Sequence, residues 1–341
     1  ASQELAATTQ NVASGETFDG VIPMPEAAEG ITSQKLVAVV AAKVTSSAEE
    51  TTYLDMNSIT EITDTAEQTE DGCQVSFTAE DGDYVLFTYW QRGTAQVNTP
   101  SVETNYSINY FDIDGFNAFK EYWDENILTD EMKQLIEENG NVQMFMDSLE
   151  LSHAGGFVYW TSEFRDEFMN RKGYDITPYL MLLMGGGRGP ATYALEGEEV
   201  LNEKYINDFD DVITQLYIEY LMEPMADYMH ENGIELRAQI AYGQTLEASL
   251  PIQTLDYVES ESLNGNDQPE VYRFQAGAQH LYGINEFSSE TGATWVNYAW
   301  TLPHILENPI YTEYLGGVNR VIYHGIASIW GPEGTQWPGY E

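Results

Sequence analysis

Carboxylates recur at the ends of short apolar runs in this sequence. The run Val142–Met146 gives way to Asp147 and Glu150. Arg237 and Gln239 share one face of the run 235–241, which ends beside Tyr242. The run 255–260 ends in Glu259 and Glu261, 284–289 in Ser288, Ser289 and Glu290, and 318–323 in His324. Two carboxyl groups on either side of a glycosidic bond can do acid–base work: one protonates the leaving oxygen, the other activates water or attacks the anomeric carbon. Trp160, Tyr242 and Trp295 supply flat apolar faces of the kind that sugars stack on. Glu150, Glu261 and Glu290, each closing a different apolar run, are the candidate catalytic carboxylates. Trp160, Arg237, Gln239, Tyr242, Trp295 and His324 are the candidate substrate-binding side chains.

Other chemistries find less support. The five histidines are dispersed, with no HExxH pair to hold zinc. The glycine-rich GGGRGP at 185–190 lacks the Lys-Ser/Thr that a phosphate cradle needs, and no GxSxG elbow is present. Cys73 is the single cysteine, with no histidine in its local sequence, and it permits no internal disulfide.

Side chains at strand ends converge only if something aligns the strands, and the C-terminal two thirds reads as alternating helix and strand. Helical spacing runs through 113–127, 129–138 (with Thr129 as N-cap), 161–173 (stopped by Gly173) and 270–282. A long helical stretch at 202–232 carries Pro224, which predicts a kink or a split. Alternating β and α is the mark of a parallel sheet with crossover helices. The strand-like runs 85–90, 142–146, 235–240, 255–260, 284–289 and 318–323 predict a TIM-type (β/α)8 barrel; six runs against eight mean either that two more lie in the first third or that the barrel is incomplete at its N-terminus. The first third differs. Residues 1–34 read as irregular or edge structure, and 35–110 as a small antiparallel β unit running into a strand at 84–91. The expected division is therefore 1–110, an irregular segment plus β unit, and 111–341, the barrel region.

Composition narrows the partners. The chain of 341 residues holds 56 Asp and Glu against 13 Lys and Arg, a net charge of −43. Nucleic acid, which needs a basic footprint, is excluded as a partner, and anionic membrane surfaces are disfavoured. No run of about 18 apolar residues could span a bilayer. Such acidity suits an extracellular, calcium-containing or salty medium. A secreted or cell-surface bacterial protein is the expectation, cut from a longer chain, since the start lacks both Met and a leader pattern.

Several blocks together resemble glycoside hydrolase family 106, the α-L-rhamnosidase-like proteins. They are MDSLEL followed by YWTSEFRDEFMNRKGYDITPYL (159–180), ELRAQIAYG (235–243), DYVESESLN (256–264), AGAQHLYG with SSETGA (276–293) and GGVNRVIYHG (316–325). Upstream, FDGVIPMPE (18–26) and KLVAVVAAKV (35–44) fit the same pattern. The resemblance implies a (β/α)8 barrel that cleaves α-L-rhamnosyl linkages of oligo- or polysaccharides with inversion, and that uses calcium. By position it implies Glu150, Glu261 and Glu290 as strand-end glutamates, with Glu290 fitting better than Glu286. It also implies barrel units and further domains outside this chain. Glu150 is the expected general acid and Glu290 the general base, with their carboxyls roughly 6.5–9.5 Å apart. Asp147, Glu259 and Glu261 are the expected calcium ligands through oxygen. The rival reading is a non-catalytic carbohydrate-binding or cell-surface structural protein on a degenerate barrel.

Overall fold

The computed structural model describes residues 1–97, 104–185, 192–240, 245–265, 268–292 and 307–324. In chain order the strands are β1 (Gln3–Val12), β2 (Thr17–Pro23), β3 (Gln34–Ala48), β4 (Thr51–Leu54), β5 (Thr60–Glu61), β6 (Glu67–Gln68), β7 (Gly72–Thr78), β8 (Tyr84–Gly93), β9 (Val142–Met146), β10 (Val158–Tyr159), β11 (Tyr193–Leu195), β12 (Ile234–Gln239), β13 (Tyr257–Glu261), β14 (Phe287–Thr291) and β15 (Arg320–Tyr323). The helices are α1 (Ile113–Asn126), α2 (Asp130–Asn139), α3 (Phe164–Lys172), α4 (Glu199–Tyr217), α5 (Glu223–Glu231), α6 (Ser262–Gly265), α7 (Pro269–Tyr282) and α8 (Asn308–Gly316). They belong to two compact units: Ala1–Phe119 with Leu151–Tyr220, and Lys120–Glu150 with Leu221–Glu341.

The first unit is built on β-sheet. One sheet runs β10-β1-β8-β3-β4-β11, with β5 also on β3, and a second runs β2-β7-β6. Val12, Val39, Leu86 and Trp90 of the first sheet pack with Ile22, Cys73 and Val75 of the second. Burying apolar faces of two sheets against each other is what makes these acidic strands stable. On the other face of β8, Phe87 meets Tyr193 edge-on at 4.8 Å.

One ion pair is sealed inside this unit. Arg92 Nε donates to Glu4 Oε1 at 2.8 Å, and the two side chains are 1% and 0% exposed. The same guanidinium donates to the Ala154 and Glu26 carbonyls, and the Ala154 N–H donates to Glu4 Oε2. A Cβ at Gly156 would stand 2.5 Å from Glu4 Cδ, so only glycine fits there. Burial alone would raise the Glu4 carboxyl, but His153, Ala154 and Arg92 together hold it below its ordinary 4.5. Its contribution to stability is present above that value and lost as pH falls through the lower folded one. Arg92→Met should cost about 3–5 kcal/mol in urea titrations near neutral pH, because it strands a buried carboxylate.

The second unit carries a parallel sheet in the order β15-β14-β13-β12-β9. Leu236, Ala238, Val258 and Phe287 fill one face of it, each fully buried. Helix ends follow the local chemistry. Thr129 Oγ1 accepts from the Met132 N–H to cap α2, and Gly140, at φ 65°, closes it. Gly173 closes α3 of the first unit at φ 78°. Between α4 and α5 the helical stretch breaks into a π-turn at Ile218–Met222, just ahead of Pro224. The proline cannot supply the next backbone donor, which is why the register slips there.

The expected TIM-type (β/α)8 barrel is corrected by this topology. The described residues form mixed sheets and half a barrel's worth of parallel strands. The run 85–90, counted as a barrel strand, is β8, hydrogen-bonded antiparallel to β1 and β3. A strand buried on both faces reads as the same apolar run in either kind of sheet. Residues 1–34, expected to be irregular or edge structure, contain β2 at a sheet edge and β1 between β10 and β8. Their polar alternation hides strands whose burial comes from long-range pairing.

Glu313 of α8 is fully buried against the apolar face of the parallel sheet. Ser289 Oγ and Thr291 Oγ1 donate to its carboxyl at 2.8–2.9 Å. Burial raises its pKa above the ordinary 4.5, and these hydroxyls offset that only in part. A carboxyl raised on folding stabilises below its unfolded value, and that contribution is lost as pH climbs through the folded one. Thermal unfolding at about pH 4 and about pH 8 should therefore show Glu313→Gln gaining on the wild type at the higher pH.

Candidate active site

The site grows from strand register. Side chains two apart share a face. β12 pairs with β13 through Gln239↔Glu259, and β13 with β14 through Glu259↔Ser288 and Glu261↔Glu290. Parallel pairing thus lays Arg237, Gln239, Glu259, Glu261, Ser288 and Glu290 on one face, with apolar Leu236, Ala238, Val258 and Phe287 on the other. The polar residues cluster toward the C-terminal ends of the strands, where α/β sheets place their chemistry.

Glu259 lies at the centre and is 2% exposed. Ser288 Oγ donates to its Oε2 at 2.6 Å, and Gln239 Nε2 approaches its Oε1 at 3.4 Å. Arg237 Nη1 stands 2.9 Å from Oε2. That is ion-pair distance, but the N–H is not in line, and Arg237 Nε and Nη1 make no hydrogen bond among the described residues. The guanidinium lies over the Phe145 ring, 4.8 Å from its centroid. Burial pushes the Glu259 carboxyl up, against the pull of Ser288, Arg237 and Gln239, and nearby Glu290 adds to the rise.

Glu290 is the more accessible partner, at 19% side-chain exposure. Gln239 Nε2 donates to its Oε2 at 2.7 Å, and His324 Nε2 lies 3.6 Å from its Oε1. Gln239 itself is fully buried. Glu261, beside Glu290 in register, is 8% exposed. Glu286 lies just before the N-terminal end of β14, where Arg320 pairs with it at 2.5 Å.

The remaining expected site residues lie elsewhere. Asp147 and Glu150 are both exposed, in the irregular stretch after β9, and Asp147 Oδ1 accepts from the Ser148 N–H. Trp160 belongs to the first unit. It is 1% exposed and packs on Phe164 at 4.5 Å, so its ring offers no open face. Tyr242 and Trp295 fall outside the described residues. The structure thus gathers Arg237, Gln239, Glu259, Glu261, Glu290 and His324. Sequence reasoning overlooked Ser288 and Phe145 as their supports, although counting back two from Glu290 reaches Ser288.

As a calcium site the described residues fit poorly. Both oxygens of Glu259 are engaged, one of them by a guanidinium that would repel a cation. Among the described residues no three His, Cys, Asp or Glu side chains converge on a point where a metal could sit.

Residues 36–341 match a family model described as alpha-L-rhamnosidase. The chain belongs to glycoside hydrolase family 106. A solved structure, that of the rhamnosidase from Novosphingobium sp. PP1Y, aligns with a TM-score of 0.64 at 14% identity, covering 95% of this chain and 46% of that one. At that identity the likeness is one of fold. A protein of Formosa agariphila named "Putative beta-glucuronidase" is 24% identical over 252 residues, which is 71% of this chain and 20% of the relative. The family 106 chain therefore spans less than half the length of either. No described helix is long and apolar enough to cross a membrane.

The Arg237–Glu259 pair predicts its own test. Arg237→Met should lower stability by about 3–5 kcal/mol near neutral pH, since it leaves a buried carboxylate without its cation. Chemical denaturation of the variant measures this directly.

Proposed function

We propose that this chain forms the catalytic region of a glycoside hydrolase that releases terminal α-L-rhamnosyl or similar deoxy-sugar residues with inversion. Glu290 is the general base and Glu150 the general acid. The observation that carries this reading is the environment of Glu290. It is a partly accessible carboxylate at the C-terminal end of a parallel strand, oriented by a fully buried amide and flanked by an imidazole. In the reaction Glu290 takes a proton from water as that water attacks the anomeric carbon. Glu150, on its exposed loop, gives a proton to the departing oxygen. His324 and Glu261 line the sugar's approach to Glu290. Membership of the α-L-rhamnosidase family supports the choice of sugar. Its substrate is an oligo- or polysaccharide, for which the strand-end polar face supplies hydrogen-bonding partners.

Glu290→Gln and Glu150→Gln should each slow turnover of an aryl α-L-rhamnoside by about 10²–10⁴-fold, the usual share of general acid–base catalysis. An aryl β-glucuronide serves as the comparison substrate, because one relative bears that name. Wild-type rates in either variant would remove that residue from its role. Turnover of the glucuronide alone would move the substrate assignment.

A further inference from the structure

We infer that Glu259 is a positioning residue for Glu290, acting through the side-chain amide of Gln239. The inference rests on the reading of Glu290 as the general base. Glu259, at 2% side-chain exposure, cannot touch a sugar. What it does touch is the group that orients Glu290. Gln239 Nε2 carries two hydrogens. One reaches Glu290 Oε2 at 2.7 Å and the other points toward Glu259 Oε1 at 3.4 Å. The amide nitrogen is the atom within reach of both glutamate oxygens, which accept, so Gln239 turns its NH2 to both. Turned over, its carbonyl oxygen would meet two acceptors in a buried site.

Glu259 is in turn held from the side away from Gln239. Ser288 Oγ and Arg237 both address its Oε2, which leaves Oε1 for the amide. The guanidinium is steadied by the Phe145 ring beneath it. A buried charge pair is a costly way to fill space, and an apolar pair of similar volume would be as stable or more so. What the charged pair adds is direction. It locks one orientation of one amide, and that amide locks one orientation of the candidate base. The order of dependence is Phe145 and Ser288, then Arg237 and Glu259, then Gln239, then Glu290.

The test uses Glu259→Gln and Glu259→Asp, each alone and combined with Glu290→Gln. Glu259→Gln presents an amide to an amide and releases Gln239. It should lower kcat on the aryl rhamnoside by about 10²-fold with KM unchanged, as expected when a reacting group is misplaced rather than removed. Glu259→Asp keeps the charge and should recover part of the loss. In the Glu290→Gln background Glu259→Gln should cost nothing more, because its effect runs through Glu290. An equal loss in both backgrounds, or a change in KM alone, would overturn the inference. A second readout needs no turnover. In the 15N spectrum the Gln239 side-chain amide, assigned by its disappearance in Gln239→Ala, should exchange slowly in the wild type and shift and exchange faster in Glu259→Gln. An unchanged Gln239 amide overturns the inference. The expected amide change in a chain that cleaves no rhamnoside supports the inference and counts against the Glu290 assignment.

Discussion

A buried carboxylate on a strand needs a cation or several donors, and everything on the polar face of the parallel sheet follows from how Glu259 gets them. In a chain of net charge −43 with only 13 basic side chains, a guanidinium placed inside is a scarce resource. Arg237 is spent there, over Phe145 and against Glu259. With that pair in place, Gln239 has one orientation to adopt, and Glu290 has a fixed donor on one oxygen and His324 beside the other. The first unit repeats the device. Glu4 and Arg92 are buried together and saturate each other with the help of backbone groups. In both cases the carboxylates on the inside are individually satisfied, and the large excess of acid is left on the surface, where water screens it.

The family assignment and the geometry bear on different parts of the account. Matching residues 36–341 to the α-L-rhamnosidase family makes the chain a member of glycoside hydrolase family 106. The shared fold with a solved rhamnosidase, at 14% identity, speaks only to architecture. The role proposed for Glu290 rests on accessibility, strand-end position and hydrogen bonding, and that for Glu150 on its exposed place in the stretch after β9. Those properties separate Glu290 from Glu259, which shares its face but is sealed away, and from Glu286, which precedes the strand at its N-terminal end.

Much of the helical and parallel-strand structure was legible in the sequence because local signals and tertiary structure agree there. Val142–Met146 is a strand with the expected bounds, Thr129 caps α2, Gly173 stops α3, and Pro224 follows a break in the helix. The sequence placed Arg237 with Gln239 on one strand face and Glu259 and Glu261 at the end of the next strand. The barrel expectation failed where the signal was ambiguous. DYVLFTYWQR at 83–92 is apolar enough for a central strand of either kind of sheet, and only its partners, β1 and β3, decide that it is antiparallel. β1 was invisible because its sequence, QELAATTQNV, is polar, and its stability comes from β8 and from the Glu4–Arg92 pair 88 residues away. Trp160 illustrates the same limit: a tryptophan next to a candidate acid in sequence can be core in space.

The most direct test of the central claim is the anomeric form of the first sugar released, followed by 1H NMR before mutarotation. With Glu290 activating water on the face opposite the leaving group, an aryl α-L-rhamnoside should yield β-L-rhamnose first, and the signal should vanish in Glu290→Gln. Initial release of α-L-rhamnose would mean a covalent, retaining route and would contradict the account.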